Sequence, residues 1–86
     1  NTMGPFGNSP GGTPLASTVY NVILIDQQLT CTGGTATSIT IKDSLGATFV
    51  SGVSCTSNPV FYMSVGETIN FGAFTGTAPT VSVLGM

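Results

Sequence analysis

The sequence predicts an all-β domain: a small antiparallel β-sandwich or barrel, jelly-roll-like or immunoglobulin-like, with about seven or eight short strands behind an extended N-terminal arm. Three observations carry this expectation. Fourteen threonines and many Val and Ile give the chain a strand vocabulary. Turn residues recur at short intervals along it. No window of about ten residues or more holds the 3.6-residue period of an amphipathic helix.

Residues 1–14, NTMGPFGNSPGGTP, open the chain with Gly at 4, 7, 11 and 12 and Pro at 5, 10 and 14. Proline removes backbone donors and glycine raises the entropy cost of ordering, so an arm or linker is expected here and a β-domain over 15–86. Met3 and Phe6 are the large apolar side chains of the arm. They are either incidental residues on a tail or anchors that dock into a neighbouring subunit.

The first strand is expected over 17–25. Its nearly continuous apolar run (Val19, Tyr20, Val22, Ile23, Leu24, Ile25) predicts cover on both faces. A second strand, 28–32, carries Leu29 and Cys31 before the Gly33-Gly34 turn. Segment 37–43 alternates with Ile39 and Ile41 inward and Ser38, Thr40 and Lys42 outward. Asp43-Ser44-Leu45-Gly46 is a hairpin signal, with Gly46 available for a positive φ. The chain returns over 47–50, breaks or bulges at Ser51-Gly52, and resumes over 53–55. After the Asn58-Pro59 loop come 60–65, with Phe61, Met63 and Val65 on one face, and the Gly66-Glu67 turn. Next is 68–73, with Ile69 and Phe71 inward. The last strand is 80–84, with Val81 and Val83 inward, after a loop over 76–79.

Composition then limits function. Charged residues make up 5% of the 86-residue chain, against about 25% in ordinary globular domains. They are Asp26, Lys42, Asp43 and Glu67, and there is no His, Arg or Trp. The mean hydropathy is +0.44. The longest apolar stretch runs seven residues, 19–25, and includes Asn21, whereas a bilayer span needs about 20, so no membrane span is expected. One Lys cannot neutralise a phosphate backbone, which excludes direct nucleic-acid binding. A domain that meets water on all sides usually keeps far more surface charge. The expected partners are therefore protein neighbours in a larger assembly, copies of the chain itself or the subunits of a lattice.

The candidate sites are few. Cys31 and Cys55, both on expected strands, form either a disulfide or two buried thiols. A disulfide closing that loop adds roughly 3.5 kcal/mol on the chain-entropy model and points to an oxidising location: secreted, cell-surface or on a released virus particle. Two cysteines without His make no metal site. Asp26, Asp43 and Glu67 fall at strand ends and turns, the ordinary stations of acidic residues, and no Asp-rich calcium loop is present. A nucleophilic Ser or Thr would need a base that the chain lacks. Gly33-Gly34 lacks the Lys-Ser/Thr sequel of a phosphate loop, and no Asn-x-Ser/Thr sequon occurs. No enzyme activity, cofactor or metal is expected. Alternation places Phe61 and Phe71 in the core and leaves Tyr62 and Phe74 outward or at a sheet edge. With Val19 and Tyr20 of the first strand and Met3 and Phe6 of the arm, these are the candidate partner-binding residues.

Two segments carry a resemblance. Gly4-Pro5-Phe6-Gly7, followed by Pro10, is similar to the start of some small tailed-phage head proteins. Residues 37–83, TSITIKDSLGATFVSG through SVGETINFGAFTGTAPTVSV, resemble the Thr/Gly-rich β-domains of bacteriophage capsid-decoration and fibre proteins. Bacterial surface-filament subunits share the same style. The resemblance implies a virion cement protein that sits on the capsid lattice, bridges major capsid subunits and clamps with its terminal arm. The alternative is a secreted or cell-surface filament subunit that completes a neighbour's sheet by strand addition. A weaker third class is an extracellular carbohydrate- or receptor-binding module. Deleting residues 1–14 is expected to weaken assembly under the first two readings, as measured by sedimentation against the full chain.

Overall fold

The computed structural model describes residues 11–22, 25–35 and 37–85. Among them lie eight strands: β1 (Gly11–Gly12), β2 (Val19–Asn21), β3 (Gln27–Thr32), β4 (Ile39–Lys42), β5 (Thr48–Val53), β6 (Val60–Met63), β7 (Thr68–Asn70) and β8 (Thr80–Gly85). One 3₁₀ turn, Cys55–Ser57, joins β5 to β6. All pairings are antiparallel. One sheet has the order β1-β8-β3-β6 and the other β2-β7-β4-β5. The chain changes sheet at every connection except the β4–β5 hairpin. That order is the jelly roll, so of the two sandwich types expected the immunoglobulin-like one does not apply.

The core follows from strand alternation. The β1-β8-β3-β6 sheet sends Leu29, Cys31, Met63 and Val81 inward, and the other sheet sends Ile39, Ile41 and Ile69. Val22 and Phe71, just outside β2 and β7, complete the cluster, with Phe61, Val83, Val50 and Val53 packed at its margin. Each fully buried Leu, Ile, Val, Phe or Met side chain contributes about 1.5–3 kcal/mol relative to exposure. Ile39 and Ile41 inward with Lys42 exposed match the alternation of their segment.

Several expectations need correction. The first strand is only Val19–Asn21, an edge strand, and Val19 is exposed, so the run is not covered on both faces. Its limits have local causes: Ser17 takes a positive φ of 52° and donates to Gly72 O, while Val22 N–H bonds Glu67 O and Val22 O accepts from Gly66 N–H. Ile23 and Leu24 lie outside the described residues, as do Met3 and Phe6. The strand over 60–65 stops at Met63, and Val65 is exposed in the turn that follows. Of the break or bulge expected at Ser51-Gly52 the structure shows a bulge: one strand, β5, runs over Thr48–Val53 with a second bulge earlier in it. Ile39 pairs with Val53, Thr40 with Ser51, Ile41 with Val50 and Lys42 with Thr48, which leaves Gly52 and Phe49 as the extra residues. Gly52 has φ 76°, a conformation that favours glycine.

Gly11–Gly12 was not anticipated as a strand. It pairs with Val81 and Ser82 of β8, and Pro14 behind it is buried. A sheet edge suits this segment, because glycines offer the ladder a donor and an acceptor while adding no side chain.

Cys31 and Cys55 form a disulfide with a Cα–Cα distance of 5.2 Å across 24 positions. Cys31 sits on β3 as expected, but Cys55 opens the 3₁₀ turn instead of ending a strand. Ser54 caps that turn by accepting the Thr56 N–H at 3.2 Å, and Asn58, at φ 54°, closes it with its N–H on Cys55 O. The Cys55 N–H is held by Thr37 Oγ1 at 2.9 Å in a buried position. The bond thus ties one sheet to the connection that leaves the other. Nearby, Gly72 has φ 76°, and a Cβ there would lie 2.6 Å from Ser38 O, so only glycine fits this close approach. Replacing both cysteines by Ser, Cys31→Ser with Cys55→Ser, is expected to cost roughly 3.5 kcal/mol, read as a lower urea midpoint with a steeper slope, because the unfolded chain loses its crosslink and expands.

Candidate assembly surface

The two sheets present chemically different outer faces. On β1-β8-β3-β6, residues facing away from the core fall into cross-strand rows. Leu84, Gln28 and Tyr62 form one row; Gly11, Ser82, Thr30 and Val60 form the next; Thr80 and Thr32 follow. Tyr62 is 67% exposed, Leu84 63% and Val60 46%. Leu84 and Tyr62 are each directly opposed to Gln28, so they stand about 10 Å apart with its amide between them, while Val60 lies two positions from Tyr62 on the same strand. No charged residue lies on this face.

The paired positions of the other outer face are mostly polar, while Phe49, 52% exposed, projects from a bulge of β5. The rows of that face are Val19, Asn70, Thr40 and Ser51, then Asn21, Thr68, Lys42 and Thr48. Val19 stands there at a sheet edge among amides and hydroxyls, apart from Tyr62. The expected partner-binding residues are therefore not one site. Tyr20 points inward, stacks edge-on against Phe71 at 6.5 Å between ring centroids, and accepts the Leu15 N–H at 2.8 Å through its hydroxyl. Phe74, expected outward or at a sheet edge, lies in the β7–β8 connection, half-buried against the core. Tyr62 alone of the described aromatic candidates stands where alternation placed it and is mostly exposed.

Leu84 and Val60 were missed, although their signal was present. Val81 and Val83 inward on β8 put Leu84 outward by the same period of two, and Phe61 and Met63 inward on β6 put Val60 and Tyr62 outward. That the two strands share a face could not be read from the chain, because β3 lies between them.

All three carboxylates gather at one end of the sandwich, in the β2–β3, β4–β5 and β6–β7 connections. Asp26 Oδ1 accepts the Val65 N–H at 2.9 Å, linking two of these loops. Glu67 Oε1 accepts the Ser64 N–H at 2.8 Å. Asp43 Oδ1 accepts both the Leu45 and Ala47 N–H groups at 2.9 Å, which shapes the hairpin. Each acid thus terminates backbone donors that a turn leaves open. No group of three or more His, Cys, Asp or Glu side chains able to hold a metal occurs among the described residues. The opposite end is neutral and is held by hydroxyls and the disulfide: Thr35 Oγ1 donates toward Thr75 O and Thr77 O at 2.6 and 2.8 Å, and its N–H bonds Thr77 O.

No helix among the described residues is long and apolar enough to cross a membrane. What the arrangement offers chemically is a neutral surface on which the Tyr62 phenol and Val60 of β6 face Leu84 of β8 across the Gln28 amide and Thr30 hydroxyl of β3. Such a surface buries well against another protein surface and needs no counter-charge. Asp43→Ala is expected to lower stability by about 1 kcal/mol through loss of the two turn hydrogen bonds while leaving assembly unchanged, measured by urea denaturation beside sedimentation. Compared with protein-family models, with curated proteins and with solved structures, the chain matches none.

Proposed function

We propose that this chain is a non-enzymatic structural protein of a virion, a bacteriophage capsid decoration or cement protein that binds the shell lattice through apolar surface and its N-terminal arm. The observation that carries the reading is the uncharged outer face of the β1-β8-β3-β6 sheet, with Tyr62, Leu84 and Val60 in adjacent rows. A domain with four charged side chains has little to keep such a face in water. The engagement of each carboxylate with backbone donors supports a structural role for the acids rather than acid–base chemistry. The disulfide suits a particle that leaves the reducing cytosol. The jelly roll recurs in capsid proteins and also in lectins, so the fold adds support by analogy only. On a lattice, many modest contacts of this kind act together through effective concentration.

The test is co-sedimentation of the purified chain with empty shells of the major capsid protein encoded in the same genome. The expected result is saturable binding at a fixed stoichiometry, reduced at least tenfold in affinity by Tyr62→Lys. Absence of binding, together with fibres grown by the chain alone, would replace this reading with the filament one. Binding to glycans that Tyr62→Ala abolishes, with assembly unchanged, would replace it with a carbohydrate-binding module.

A further inference from the structure

We infer that the free edge of β6 pairs antiparallel with β6 of a second copy of this chain, about a two-fold axis at Phe61. The inference goes beyond the docking of the outer face on a shell and does not depend on it.

The strands β1, β6, β2 and β5 bound the two sheets, and their edges are unequal. β1 is two residues long, both Gly. β2 is three residues long, held between Ser17 at a positive φ and Val22, whose N–H and C=O are both taken up by the β6–β7 turn. β5 carries two register shifts. β6 is regular against β3 over all four of its residues, Val60–Met63, and includes no charged residue and no Pro. It therefore lacks the bulge, charge or proline that ordinarily blunts an exposed edge.

The ladder fixes which backbone groups of β6 are free. Cys31 N–H donates to Pro59 O at 3.2 Å, which makes these two a hydrogen-bonded pair continuing the β3–β6 register. Bonded and non-bonded pairs alternate along an antiparallel ladder. Leu29–Phe61 and Gln27–Met63 are therefore bonded pairs. Val60 and Tyr62 direct their N–H and C=O groups away from β3, to a side where no strand lies among the described residues. This free run is closed at both ends. Ser64 N–H, next in the alternation, is taken by Glu67 Oε1 at 2.8 Å. Asn58, on the other side, is left-handed at φ 54° with its N–H on Cys55 O.

Such a window fits another copy of itself. A two-fold axis at Phe61 sets Val60 opposite Tyr62 of the second copy, and each of these residues both donates and accepts. An axis at Tyr62 would set Val60 against the committed Ser64 N–H, and an axis at Val60 would set Tyr62 against Asn58. A shift by one position would oppose a free residue to one whose groups face β3. The side chains agree with the remaining register. On the outer face a β-branched residue meets an aromatic one, a favourable cross-strand pair. Phe61, at the margin of the core, meets Phe61 in the close, non-bonded pair. With no charge on β6, no like charges are brought together. The axis stands perpendicular to the sheet, so the two outer faces continue side by side and stay free to dock, and an isologous contact closes on itself. A strand pair of this length buries less than the about 1,200 Å² at which specific stable interfaces begin, so a dissociation constant of roughly 0.1–1 mM is expected. Copies held side by side on a shell meet at effective concentrations of about that order.

The experiment follows the full chain by sedimentation equilibrium and traps the register with a cysteine. Phe61→Cys places the thiols of two copies in the close pair, with Cα atoms about 4.5 Å apart, within reach of a disulfide. Tyr62 is more exposed, but in the pair it faces Val60 and meets its own counterpart only diagonally, at about 7–8 Å. In a glutathione buffer Phe61→Cys is expected to give a linked dimer roughly tenfold faster than Tyr62→Cys. Val60→Pro removes a donor that faces away from β3 and is expected to weaken dimerisation by roughly tenfold or more with the far-UV circular dichroism unchanged. Should Phe61→Cys loosen the core, Val60→Pro decides alone. Crosslinking of folded Phe61→Cys no faster than that of Tyr62→Cys, or self-association that Val60→Pro leaves unchanged, overturns the inference. An unaltered chain that stays monomeric at about 1 mM overturns it too, and shell binding by that chain would leave the docking of the outer face standing.

Discussion

The closing of two small sheets on one another is the constraint on which the rest of this structure depends, and the Cys31–Cys55 bond is its covalent form. Cys31 belongs to the sheet that carries the uncharged outer face, and Cys55 to the turn that leaves the opposite sheet. Between them lies a core drawn from strands of three to six residues. Few strands this short are independently stable, and a domain of this length buries a modest share of its surface. A crosslink that limits the unfolded chain therefore counts for more here than it would in a larger fold. Its buried surroundings reinforce it, since Thr37 holds the Cys55 backbone and Gly72 lets the chain beside Ser38 approach closely.

Much of the architecture was legible because strand alternation is a local signal. Ile39, Ile41, Ile69, Phe71 and Val81 are buried where the period of two puts them. The Asp43 hairpin follows from residues within a single turn. What stayed hidden is non-local. The 17–25 run looked doubly covered because hydrophobicity says which residues can be buried, not how much neighbouring surface exists to bury them. Ser17 and the Val22–Glu67 bonds decide where that strand stops, and both depend on partners about fifty residues away. The 3₁₀ turn at Cys55 was missed because Ser54 reads equally well as a strand residue and as a cap. The face of Tyr62 and Leu84 was invisible for the same reason, as it exists only once β3 has come between β6 and β8.

Scarcity of charge has a geometric side that composition alone does not convey. The three acids are placed where they complete turns, all at one end, and Lys42 sits on the polar sheet. The remaining surface is neutral by position as well as by count. The polar part of that surface consists of hydroxyls and amides, which bind water without generating long-range repulsion between molecules. The barrier to close approach of two copies is correspondingly low over most of the surface and highest at the acidic end.

The doubled bulge of β5 carries a different consequence. A strand arriving at that edge would meet N–H and C=O groups thrown out of step at Phe49 and again at Gly52, so no ladder of ordinary length can form there. Sheet growth is interrupted on that side of the molecule before any partner is considered. The bulges thus leave β1, β6 and β2 as the edges of the two sheets at which a regular ladder could still be extended.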